Sequence, residues 1–414
     1  MDNHPQDPPH KMIPLFLGVT GHRSLDSLSV PDVRDAIQRE FNLLRQRYPH
    51  TQIIVLSGLA EGADRLVVEV ALEFNCEVWA VLPTSVVEYI KDFPSTQSKR
   101  EFRRLLGQAS QIINSSLLAG RAENFSERPK IYEHLGDQLC QMSHFLMALW
   151  DGAPTEKPGG TSSVIRNFLS SSFNEAGLPR KATPACRPVI HISVTRGHAT
   201  TRKMQCVVSW LAAYPSAKSE VSQKTKFFTA RDKFLKTIDQ LNAFNVASQF
   251  TPISMADLAS QKLLTNPYPW QSDPTIVKWI EWFLKAEQVS YAAGRYRLKN
   301  LIMPVGLIAL FLSASVAYSH HLQDIWPVAL GLTSLAVLAM IYSKHKMNEA
   351  KELGNGGRVI SEYLRYAISL RTGGNQNLIP HDVAENRTFV CGWVSIAFRA
   401  IDNFSRIRPT SKQV

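Results

Sequence analysis

The chain has 414 residues, with 46 Lys and Arg against 35 Asp and Glu, a formal charge of +11, and 44% apolar residues. That length accommodates two domains and a membrane element, and no internal repeat or long low-complexity tract interrupts it. The five cysteines (Cys76, Cys140, Cys186, Cys206, Cys391) show no C-x-x-C pair or metal-ligand spacing, which excludes a metal cluster on cysteine and fits reduced packing residues.

Residues 1–12 read as a disordered tail, since Met1–His10 is polar and Pro-rich and lacks the apolar core of a signal. From Ile13 the order of elements is strand, loop, helix. Ile13–Val19 is a short apolar strand that runs out through Gly18-Val-Thr-Gly-His-Arg23. Val33, Ile37, Phe41 and Leu44 then mark one face of a helix. Gln52–Leu56 is the next strand, broken by Ser57-Gly58. The helix after it carries Ala63, Leu66, Val67, Val70, Ala71 and Phe74 on its apolar positions. Glu77–Leu82 is a strand stopped by Pro83, Gln141–Leu149 is an apolar helix end or strand, and Val189–Val194 closes the series. Short apolar strands alternating with helices predict an α/β, Rossmann-like parallel sheet over residues 13–198.

Ligands of such sheets bind beyond the C-terminal ends of the strands. Glycines leave those ends at Gly18/Gly21, Gly58/Gly62 and Gly159/Gly160, where backbone N–H groups can approach a phosphate. Thr20, Arg23, Ser57 and Thr161 stand beside them, and the planar fork of Arg23 suits a phosphate. Asp151-Gly152 offers an acceptor for a ribose hydroxyl or base edge. Glu61 and Asp64 open a helix, so they either face the ligand or compensate the helix dipole. His22 either donates to a ligand oxygen or caps the following turn. His191, between Ile190 and Ile192, reads as a hydrogen-bonded core residue.

Residues 199–298 read as a helical or linker region in which 251–274 is linker or partner surface. Its basic tract from Arg196 to Lys236 suits anionic headgroups or plain solvation, and nucleic acid less. Asn300–Gln323 and Ile325–Ser343 are apolar and uncharged, with only Asp324 between them. Each approaches the ~20 residues that cross a ~30 Å hydrocarbon layer, which predicts a two-helix transmembrane hairpin over 299–344. Arg295, Arg297 and Lys299 precede it and Lys344, Lys346 and Lys351 follow it. The expected location is therefore the inner membrane, two-pass, with both termini and the C-terminal helices (345–414) cytoplasmic.

The motifs Gly18-Val-Thr-Gly-His-Arg23, Ser57-Gly-Leu-Ala-Glu-Gly-Ala-Asp-Arg65, Tyr89-Ile-Lys-Asp-Phe93, Trp150-Asp-Gly152 and Pro158-Gly-Gly-Thr161 occur in one order. Over about residues 13–195 they resemble the SLOG superfamily, the Rossmann-like group of the "Lonely guy" phosphoribohydrolases and the Smf/DNA-processing proteins. About 275–400, with Arg358-Val-Ile-Ser-Glu-Tyr-Leu-Arg365, is similar to SLATT two-pass membrane effectors. The resemblance implies a pocket for a nucleotide or a cyclic or ADP-ribose-type messenger. Its walls would include Gly18, Thr20, Gly21, His22, Arg23, Ser57, Gly58, Glu61, Gly62, Asp64, Arg65, Asp151, Gly159, Gly160 and Thr161. It also implies a homo-oligomeric sensor–effector that perforates membranes in anti-phage defence, with no cofactor or metal. The hydrolases of the superfamily carry a longer turn and a catalytic glutamate, where this chain has Val164; His144 stands where related domains tend to have aspartate. Binding is therefore the expected role, with a membrane-tethered nucleoside-monophosphate phosphoribohydrolase as the alternative.

Overall fold

In this computed structural model the apolar segments of the first half form one seven-stranded sheet. The structure describes residues 13–115, 128–155, 159–170, 187–195, 206–212, 221–249, 273–318, 326–372 and 392–405. The strands are β1 (Leu15–Gly21), β2 (Ile53–Ser57), β3 (Glu77–Leu82), β4 (Gln111–Asn114), β5 (Phe145–Trp150), β6 (Val189–Ser193) and β7 (Val208–Leu211). They lie in the order β4-β3-β2-β1-β5-β6-β7, parallel throughout except for the antiparallel pair β6–β7. Leu17 faces Val55 on one side and Phe145 on the other, so β1 is the centre of the sheet. An α/β Rossmann-like sheet is thus established. Its inner strands are buried nearly end to end, as strands covered on both faces must be.

Among the described residues six helices belong to this sheet: α1 (Val30–Arg47), α2 (Ala63–Glu73), α3 (Val86–Tyr89, continued by a 3-10 turn over Ile90–Asp92), α4 (Thr96–Gln108), α5 (Arg128–Met142) and α6 (Thr161–Ser170). α1 buries Val33, Ala36, Ile37, Phe41 and Leu44, starts on Pro31 and ends on Arg45 and Arg47, which suits its dipole. Ser95 caps α4 by accepting from the Ser98 N–H. Strand order reverses at β1: the chain runs outward through β2, β3 and β4, then crosses to β5. The crevice beyond the C-terminal ends of β1 and β5 is the switch point where such folds take ligands.

The remaining helices are α7 (Val221–Gln249), α8 (Pro274–Tyr318), α9 (Trp326–Thr372) and α10 (Gly392–Ser405). α8 and α9 run antiparallel: Asp273 pairs with Arg371, Gly357 lies against Ala286, and Gly354 lies against Ala293. These helices dock on the N-terminal ends of the strands, opposite the crevice. Asn245 accepts from the Ile13 N–H and donates to the Ile13 carbonyl. Tyr48 donates to the Leu235 carbonyl, and Phe404 meets Phe16 and Trp79 edge-on. The apolar core of the sheet and that of the helices are continuous.

Among the described residues no helix is long and apolar enough to cross a membrane. This corrects the transmembrane hairpin expected over 299–344. The sequence reading isolated two apolar runs as units. In the fold each run continues a longer helix whose other part is charged and packs on the protein's own core, as Trp279, Trp282 and Phe283 of α8 and Ile360 and Leu364 of α9 do. The side chains of 307–336 lie outside the described residues.

Candidate functional site

The loop after β1 is the common wall of the crevice. Gly21 packs so closely on Ala63 and the Leu149 carbonyl that a Cβ there would collide with both. The His22 N–H donates to the Leu149 carbonyl and the Ala63 N–H donates to the His22 carbonyl, which ties the β1, β2 and β5 loops together. Gly62, the residue before α2, has φ +76°, and a Cβ on it would lie 2.3 Å from the Arg23 carbonyl. That position accepts only glycine without moving the loop.

On the β5 side, His22 Nε2 lies 3.0 Å from Asp151 Oδ1 and 3.2 Å from the Asp151 backbone nitrogen. Both contacts fall on one ring nitrogen: a bare Nε2 accepts the Asp151 N–H, whereas a protonated Nε2 donates to the carboxylate. Asp151 Oδ1 also accepts from the Ala153 N–H at 3.0 Å, closing a tight turn around Gly152. Part of the Asp151 acceptor capacity expected for a ribose is therefore directed into its own loop.

The other side, over β2 and β3, holds a denser polar cluster. Asp64 is buried at the start of α2; Ser57 donates to its Oδ2 at 3.3 Å and the Ala60 N–H at 3.4 Å. Burial pushes its carboxyl up to about 6, against the opposing pull of the Ala60 N–H, the Arg23 charge and the Ser57 hydroxyl. Arg65 is also buried. Its Nε donates to the Leu59 carbonyl at 3.2 Å, its Nη1 to Ser98 at 3.0 Å and to Glu101 at 3.1 Å, and its plane lies over Phe93. Its Nη2 is buried with no partner among the described residues, and so is the hydroxyl of Tyr89. Leu59, which Arg65 holds, adopts φ 54°, uncommon for a residue with a side chain and frequent at ligand sites.

Arg23 lies with its guanidinium 4.9 Å from the centre of the Tyr132 ring. Tyr132, near the start of α5, donates to Asp92, which also pairs with Arg128. Gly159, at φ +68°, packs against the same turn of α5: a Cβ on it would lie 2.7 Å from the Glu133 nitrogen. Arg23 and Gly159 therefore meet at Tyr132. Gly160 accepts from the Val164 N–H as α6 begins at Thr161.

The expected site residues accordingly divide. His22, Arg23, Ser57, Gly58, Asp64, Arg65 and Asp151, with Gly21 and Gly62 beneath them, lie around the ends of β1, β2 and β5. Glu61 is half-exposed in the loop before α2. Gly18 and Thr20 lie inside β1, and Gly18 makes room for the Ser143 hydroxyl, where a Cβ would come within 2.1 Å. The part of Gly18 is packing. Sequence reasoning gave no role to Tyr89, Asp92 and Tyr132. Tyr89 and Asp92 were visible in the Tyr89–Phe93 motif; Tyr132 had no signal, because it comes from a helix 40 residues further on.

His144 is not at the crevice. Its Nδ1 accepts from the Phe16 N–H at 2.9 Å, so Nε2 carries the proton and donates to the Ile396 carbonyl at 3.0 Å. Burial first, then the charges of Arg399 and Arg187, hold it well below the usual histidine range. His191 donates from Nε2 to the Trp150 carbonyl and accepts from Ser209. Among the described residues no group of three or more His, Cys, Asp or Glu side chains is placed to hold a metal ion.

No family model matches this sequence, and no curated protein matches it. Among solved structures it is similar to DNA processing protein A (DprA) from Streptococcus pneumoniae, with a TM-score of 0.27 and 14% identity. The match covers 43% of this chain and spans half the length of that protein. The Rossmann-like class rests on the sheet order and register described above.

Proposed function

We propose that the crevice binds a small phosphate-bearing ligand of the nucleotide class and that the domain is a sensor of that ligand. The observation that carries the reading is the pair of buried groups without hydrogen-bond partners among the described residues, Arg65 Nη2 and the Tyr89 hydroxyl, in one cluster with Arg23 and Asp64. Buried donors are rarely left unpaired, and a phosphate oxygen satisfies both a guanidinium and a phenol. The sensor role is the one implied by the SLOG resemblance. Val164 supports binding over hydrolysis: it stands where the hydrolases carry a carboxylate, and it is buried against Gly136.

The test is a thermal-shift and calorimetric screen of the full chain with pyrophosphate, AMP, cyclic nucleotides and ADP-ribose. A ligand of the native state raises the melting temperature, and Arg23→Ala should abolish that rise, measured against the variant's own ligand-free transition, which loses the contact with Tyr132. If none of these compounds shifts the transition, the reading fails. A hydrolase reading has one observation of its own, the Asp64 carboxyl raised to about 6, within the range of a general acid. Release of free base from AMP, lost in Asp64→Asn, would establish it.

The proposed partners include an anionic lipid surface, contacted peripherally. Residues 294–299 are exposed on every face of α8 and carry Arg295, Arg297 and Lys299 beside Tyr296 and Leu298. Co-sedimentation with anionic but not zwitterionic vesicles, lost at high salt, tests this part.

A further inference from the structure

One helix joins the two ends of the Rossmann-like sheet. α5 has 15 residues, about 22 Å at 1.5 Å per residue. Its first turns form the floor of the crevice: Tyr132 lies under Arg23, the Tyr132 and Glu133 backbone touches Gly159, and Arg128 and Tyr132 both hold Asp92. Its last turn is capped from the far end of the sequence. The Met142 carbonyl accepts from Asn403 at 2.8 Å, and the Ser143 carbonyl accepts from Arg399 at 2.8 Å. His144, the next residue, donates to Ile396. Asn403, Arg399 and Ile396 all belong to α10. Cations and donors at a helix C-terminus satisfy its open carbonyls and its dipole, so the fit of α10 depends on where α5 ends. Close packing limits independent movement of α5: Gly136 sits so near Val164 that a Cβ would come within 2.8 Å, and Gly18 seats the Ser143 hydroxyl.

We propose that α5 is a relay: a change at its Tyr132 end alters the docking of α10 on its Met142–His144 end. α10 is then the latch that reports the crevice to the helical half. It packs against α9, where a Cβ on Gly356 would overlap the Trp393 ring, and its Phe404 meets Trp282 of α8. Use of the relay by a ligand rests on the sensor reading above; the mechanical link does not. Rigid secondary elements carry coupling between separated sites, and α5 is such an element.

The test has a ligand-free arm. Tyr132→Phe removes only the hydroxyl that holds Asp92; Asn403→Ala removes only the cap on Met142. In the full chain, amide exchange of 392–405 is followed in each variant, with the amides of α1 as the internal reference. The relay predicts that Tyr132→Phe speeds exchange in α10 several-fold more than in α1. It also predicts that the double variant's unfolding constant differs from the product of the single effects by at least ~threefold, beyond the agreement usual for independent sites. Equal exchange in α10 and α1, with multiplicative effects, overturns it. Arg104→Ala, on the surface of α4, breaks a pair with Glu69 of α2 that touches neither α5 nor α10; it is the control and leaves α10 unchanged. In the second arm, pyrophosphate and ADP-ribose are titrated. Binding that leaves α10 exchange unaltered also overturns the relay. Absence of binding with the ligand-free coupling intact upholds the relay and removes the sensor reading.

Discussion

Replacing Asp64 by asparagine isolates the buried carboxyl of the crevice. The Asp64 carboxyl lies at about 6 in the fold, against an ordinary value of 3.8. Between those values the native state holds a proton that the unfolded chain has lost, so stability falls as pH rises through the window and levels off above it. Two units at about 1.4 kcal/mol each put the cost of ionising Asp64 in place at about 3 kcal/mol. Asparagine retains an oxygen for the Ser57 hydroxyl and the Ala60 N–H and carries no charge. Asp64→Asn should therefore match the parent below pH 4 and exceed it by up to about 3 kcal/mol at pH 7. Urea unfolding of both proteins from pH 4 to 7.5 measures the difference. A difference that stays constant across that range, or an asparagine variant less stable at pH 7, would refute the reasoning.

Other expectations follow from the same contacts. An anion bound beside Asp64 favours its protonated form, so calorimetry of pyrophosphate at pH 6.5 in buffers of different ionisation enthalpy should show proton uptake, absent in Asp64→Asn. Gly62→Ala strains a φ of +76° and strikes the Arg23 carbonyl; a loss of at least ~2 kcal/mol in urea unfolding is expected. His144→Ala leaves the Phe16 N–H and the Ile396 carbonyl unpaired in the core and should cost about 2–4 kcal/mol, read by the same assay. Arg47→Ala breaks an ion pair with Asp239 that is nearly half exposed on both sides, and should cost less than about 1 kcal/mol.

The centre of the sheet was legible because its strands are apolar runs that no helix period explains, as at Leu15–Val19 and Val78–Leu82. The edges were not: β4 and β7 have four residues each, β4 with Gln111 and Asn114 polar and β7 interrupted by Ser209, and they draw their place from the neighbours they pair with. The ambiguous Gln141–Leu149 segment is both things read into it, with α5 ending at Met142 and β5 starting at Phe145. Glycine spacing located the crevice but not the work of each glycine. Gly18 and Gly159 are required by close packing on Ser143 and on α5, a reason that lies in residues far away in sequence. The same holds for His144, whose partner Ile396 is 252 positions on. The apolar stretches after Asn300 misled as a hairpin because hydropathy read in isolation does not register that a run belongs to a longer helix with a charged and core-packed half.

The most direct test of the account is a crystal of the full chain soaked with pyrophosphate or ADP-ribose. The account predicts phosphate density within hydrogen-bonding distance of Arg65 Nη2, the Tyr89 hydroxyl and Arg23. Density confined to another surface, such as the groove of Arg39, Asn42 and Arg47 on α1, with Arg65 and Tyr89 still unpaired, would contradict it.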